Sequence, residues 1–119
     1  MTIKLSVIAL AIGTVALVSA CFLFEHDTTR LQAPPESPVE VRLGCALAET
    51  RCTRCHTIDR ILNARVNSPN HWRAYVHRMR LQPQSGILPD EEAPILRCLV
   101  YRSFGSNGLA ELAKPEALR

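Results

Sequence analysis

Between Arg42 and Arg102 the chain carries ten arginines and not one lysine. The arginines are dispersed and belong to no recognisable binding motif, which argues against a nucleic-acid partner. No acid/base constellation is visible either, so no small-molecule substrate is evident and the chain does not read as an enzyme on its own. Methionine is as scarce as lysine: apart from the initiator there is only Met79. Length is limited too, since 119 residues leave room for one small domain. A core of that size buries a modest fraction of its surface and commonly needs a staple. The formal charge is +3, and setting aside the first twenty residues leaves 13 basic side chains against 11 acidic ones. A mildly basic module suits an acidic protein partner.

Cysteine, by contrast, is plentiful, with five, and three of the chemically suggestive residues stand together in Cys52-Thr53-Arg54-Cys55-His56. Two cysteines three apart with a histidine directly after the second read as a covalent attachment site for c-type haem. Each thiol adds across one vinyl group, and the adjacent imidazole becomes the proximal ligand of the iron. A redox C-x-x-C wants a βαβ context, and a zinc site wants further ligands at zinc spacing. Neither is present, whereas a large apolar cofactor held by Cys52 and Cys55 would supply the staple that the short chain needs.

Residues 1–20 contain Lys4 and then an uninterrupted apolar run ending in small residues, the plan of a secretory signal. The end of that run, Val18-Ser19-Ala20-Cys21, resembles a bacterial lipobox. That resemblance implies lipidation of Cys21 and an acyl anchor strong enough for stable attachment to a membrane. An uncleaved N-terminal anchor helix is the alternative. Both place the remainder outside the cytoplasm, at the periplasmic face of a bacterial membrane, where haem attachment of this type belongs. Residues 21–36, with Pro34 and Pro35, show no sustained periodicity and read as a semi-rigid tether.

Helix signals begin at Ser37, with Pro38 at the first helical position and Glu40 three past the serine, the pattern of a capping box. The helix should run to about Cys52, burying a stripe of Val41, Cys45, Ala48 and Cys52. A short helix is expected within residues 57–65, where Arg60 and Arg65 are candidate partners of haem propionates. Ser68-Pro69 opens a third helix, over Asn70 to Arg80, with Trp72, Val76 and Met79 on one face. That face should meet the haem, and the Met79 thioether is the natural distal ligand for an iron that carries electrons. His71 and His77 are rivals for that position, but both lie off the stripe. Asp90, Glu91 and Glu92 suit the first turn of a last helix. Ile95, Leu96, Leu99 and Val100 form its buried stripe, with Cys98 at the margin, and it should end near Ser103. Residues 105–119 read as a flexible tail.

Gly44, Ala48 and Cys52 are spaced as in the Gly-x-x-x-aromatic/small-x-x-x-Cys signature of class I cytochromes c. Trp72, Val76, Arg78, Met79, Gly86 and the acidic cluster of residues 90–92 continue the likeness. Residues 37–104 thus resemble a compact bacterial single-haem cytochrome c domain. The resemblance implies an all-α fold of three to four helices around one covalently attached haem c, the N- and C-terminal helices crossing at Gly44. It departs from the larger family in one respect: Met79 stands only 23 positions after His56. The implied function is transfer of single electrons between extracytoplasmic redox proteins. The alternatives are a haem-based sensor or peroxidase-like protein with an open sixth position, or a haem subunit of a larger oxidoreductase. With Cys21 assigned to lipid and Cys52 and Cys55 to haem, Cys45 and Cys98 remain, one on each crossing helix. A disulfide between them is the expectation in an oxidising compartment, provided the marginal position of Cys98 permits its geometry.

Overall fold

Ser68 and Pro69 do at the start of the third helix what their types dictate. The Ser68 hydroxyl accepts the backbone N–H of His71 at 3.2 Å, and Pro69 sits where no intrahelical donor is needed. In the structure, a computed structural model that describes residues 30–114, this is α3 (Pro69–Arg80). It follows α1 (Val39–Cys52) and the short α2 (Asp59–Leu62), and precedes a 3-10 turn (Pro89–Glu91) and α4 (Glu92–Leu112). The described residues contain no strand, so the architecture is all-helical. No helix among them is long and apolar enough to cross a membrane. The expected signal segment, the lipidation site Cys21 and the tether as far as residue 29 lie outside the described residues.

The first and last helices cross at the expected glycine. A Cβ built on Gly44 would fall on the backbone carbonyl of Pro94 and within 3.6 Å of the Cys98 Cβ, so only glycine admits this approach. One residue along, Cys45 is bonded to Cys98, with 5.0 Å between their Cα atoms. Cys98 is not marginal but fully buried, as are Cys45, Val41 and Ala48. The close crossing brings the Cys98 side of α4 inward. Across α4, Ile95 and Leu99 pack with Trp72 and Val76 of α3 in the same core.

Three local expectations are corrected. Ser37 does not cap α1: the first helical residue is Val39, Pro38 precedes it, and no side-chain cap forms. The Ser37 N–H is engaged by the Pro34 carbonyl at 2.9 Å, and the resulting turn points the side chain into the interior, where it is buried. Arg42 instead donates to the carbonyls of Pro35 and Ser37. The end of the tether is domain, not spacer. Leu31 is 2% exposed, and Arg102 donates to the Gln32 carbonyl. Finally, the helix does break close to its expected end, at Gly105, but the chain beyond is not a tail. Gly105 takes φ 63° and ψ −157°, a region that side chains other than hydrogen essentially exclude. Helical backbone then resumes to Leu112, with Gly108 buried against Val100 and Phe104. Residues 106–112 are therefore ordered helix rather than tail, while residues 115–119 lie outside the described residues.

Candidate cofactor site

α1 ends at Cys52, and the chain turns through Thr53, whose N–H and hydroxyl both donate to the Glu49 carbonyl. His56 follows as a half-buried side chain, and Cys55 as an exposed one. Cys52, His56, Trp72 and Met79 face one apolar cavity, closed behind by Ile95 and Leu99 of α4. The end of α1, the turn that follows it and α3 thus deliver a thiol, an imidazole and a thioether to one place. Burial, with a smaller contribution from the neighbouring Cys55, pushes the Cys52 thiol up to about 11. Cys52 is therefore an un-ionised thiol at neutral pH.

The His56 ring is set by its neighbour. Its Nδ1 lies 3.2 Å from the Thr57 carbonyl oxygen, which can only accept, so the proton of that hydrogen bond belongs to Nδ1. Nε2 keeps its lone pair for a metal. The rival histidines are engaged elsewhere, with His71 Nδ1 3.2 Å from Asn67 Oδ1 and His77 Nδ1 3.1 Å from Glu92 Oε1. Both are exposed. Trp72 is 3% exposed; its Nε1–H donates to the Ser103 hydroxyl at 2.8 Å, and its ring meets Tyr75 edge-on at 5.9 Å.

The structure does not gather every expected residue. Arg60 is exposed on α2 and takes no part in the cavity wall, and Cys55 lies outside it. The guanidinium that does reach this neighbourhood is that of Arg54, which covers Gly86, the residue before the cavity-lining Ile87. It was missed because an arginine inside C-x-x-C-H looks like a spacer. Two further arginines are fixed by acids of the 90–92 cluster. Arg51 donates to both carboxylate oxygens of Glu91, at 2.9 Å from Nε, and Arg80 donates to Glu92.

The chemistry of the donor set fits haem c: two thiols at the attachment spacing, an imidazole with a free Nε2, and a thioether on the same apolar wall. The cavity itself measures about 20 Å³, far below the roughly 300 Å³ or more of ordinary ligand pockets, so its walls must part to admit a porphyrin. Among the described residues no three His, Cys, Asp or Glu side chains converge on a metal position. An iron held by a porphyrin asks for only two protein ligands. A larger groove of about 610 Å³, lined by Arg73, Leu96 and Leu112 among others, contains none of the motif residues.

The Glu91 pair gives the domain a pH dependence. The Arg51 guanidinium, and then the Leu88 N–H, hold the Glu91 carboxyl below its ordinary value of 4.5. A depressed carboxylate stabilises the folded state fully above its unfolded pKa and stops doing so as pH falls through its folded one. The melting temperatures of wild type and Glu91→Gln should therefore differ at neutral pH and converge in strong acid.

Comparison of the chain with protein families, with curated proteins and with solved structures finds no match.

Proposed function

We propose that the chain is a membrane-tethered c-type cytochrome whose domain takes a small cytochrome c fold and carries single electrons between extracytoplasmic redox proteins. The observation that carries this reading is the convergence of His56 and Met79 on one apolar cavity beside Cys52, while His71 and His77 are engaged away from it. In this reading Cys52 and Cys55 would hold the haem covalently, each through one thioether. His56 would hold the iron through Nε2 and Met79 through sulfur, and haem c so held would supply a one-electron couple. A Met/His pair favours a higher potential than His/His.

The chain's own part is to hold and to exclude. The Thr57 carbonyl keeps the proton on His56 Nδ1 and thereby orients the ring. Trp72, Ile95 and Leu99 keep water from the ligand side. The lipobox-like Cys21 would hold this carrier to the membrane. The test is a denaturing gel stained for haem, on full-length chain made in a host that matures c-type cytochromes. Haem should migrate with the wild type and be absent from the double variant Cys52→Ala, Cys55→Ala. A wild-type band without haem rules the proposal out.

A further inference from the structure

α3 shows two faces to two different partners. Trp72, Tyr75, Val76 and Met79 line the cavity. Arg73, His77 and Arg80 recur at i, i+4 and i+7, the spacing of one helix face, and all three are held by α4. Arg73 Nη2 donates to the Leu112 carbonyl at 3.1 Å. His77 Nδ1 lies 3.1 Å from Glu92 Oε1, and Arg80 Nε donates to Glu92 Oε2. One carboxylate at the start of α4 therefore grips both residues that bracket Met79, two before it and one after. Its side chain is 22% exposed, sheltered enough for the hydrogen bonds to resist competition from water.

Apolar packing and the Trp72–Ser103 hydrogen bond already resist rotation of α3, and one residue of roll would move each side chain by about 100°. Rolling α3 would break both grips of Glu92 and the Arg73 contact together. We propose that Glu92 is a positioning residue: by holding His77 and Arg80 it sets the rotation of α3 and keeps the Met79 sulfur turned to the cavity that His56 faces. The inference rests on the reading of Met79 as distal ligand. Glu91 is the built-in control, because its pair with Arg51 is also a charge-assisted one but ties the 3-10 turn before α4 to α1, not to α3.

The experiment uses haem-loaded full-length chain and imidazole as a competing axial ligand of the ferric iron, with thermal unfolding measured in parallel. Glu92→Gln should bind imidazole about tenfold more tightly than wild type, the effect of losing one sheltered charge-assisted contact. Glu91→Gln should stay within about twofold of wild type in imidazole affinity while losing comparable thermal stability. Arg80→Lys, which keeps the charge, should fall between wild type and Glu92→Gln. If Glu92→Gln does not load, Arg80→Gln, which leaves the His77 contact, should shift imidazole binding in the same direction by a smaller factor. Equal shifts in Glu92→Gln and Glu91→Gln, or none in either, overturn the positioning role alone. A wild type without the red-region methionine-to-iron band removes the distal assignment and this inference with it.

Discussion

Replacing Cys45 and Cys98 together by alanine should lower the unfolding free energy by about 4 kcal/mol on the chain-entropy account, since the bond closes a loop with a sequence separation of 53. Small domains are stable by only about 5–15 kcal/mol, so a quarter or more of the margin would go. The location makes the loss consequential for the site. Cys45 lies on the same buried stripe as Cys52, and Cys98 lies between Ile95 and Leu99, which close the cavity. The disulfide thus joins the two walls independently of any cofactor. A haem-free chain, made as Cys52→Ala, Cys55→Ala, should keep its helical circular dichroism and a cooperative urea transition while the bond is intact. Reductant should shift that midpoint toward zero urea. An unmoved midpoint would show that the apolar contacts of α1 and α4 suffice.

Trp72→Ala should be nearly as damaging, at about 3–5 kcal/mol, the range for truncating a buried tryptophan. The ring is 3% exposed and its indole N–H is bonded to Ser103, so truncation removes packing on α4 and leaves a cavity against the ligand face of α3. Trp72→Phe separates the two contributions. It keeps most of the apolar contact and loses the hydrogen bond, worth about 1 kcal/mol, so its urea midpoint should lie close to that of wild type. If the two substitutions are equally destabilising, the indole hydrogen bond matters more than the packing.

The elements legible in the sequence were those whose signals are local and chemically strict. Ser68-Pro69 defined the start of α3 because a hydroxyl acceptor and a missing N–H both serve a helix N-terminus. Gly44 marked the crossing because only a missing Cβ permits contact with the Pro94 carbonyl. The Met79 face followed from the 3.6-residue period. What was misread depended on what the surrounding chain does next to an otherwise familiar local pattern. Ser37-Pro38 has the same local pattern as Ser68-Pro69, yet its serine is turned inward by a turn with Pro34. Leu31, a lone apolar residue among polar ones and prolines, has no period to announce its burial. Gly105 looked like a helix end, and its positive φ does interrupt the helix, but the residues from 106 onward restart one. The stripe of Arg73, His77 and Arg80 was visible at i, i+4 and i+7, and was passed over because basic residues at helical spacing ordinarily face water. Only the position of Glu92 gives it a role.

The central claim is that one haem is held covalently by Cys52 and Cys55, with His56 and Met79 as the two protein ligands of its iron. The most direct measurement is the optical spectrum of the purified haem-loaded chain beside Met79→Ala, ferric and then reduced with and without carbon monoxide. The account predicts a red-region methionine-to-iron band in ferric wild type that is lost in Met79→Ala, together with carbon monoxide binding by the reduced variant and little by reduced wild type. A wild type that binds carbon monoxide as readily as Met79→Ala, with the same ferric spectrum, contradicts it and makes the open-site sensor or peroxidase-like reading the better one.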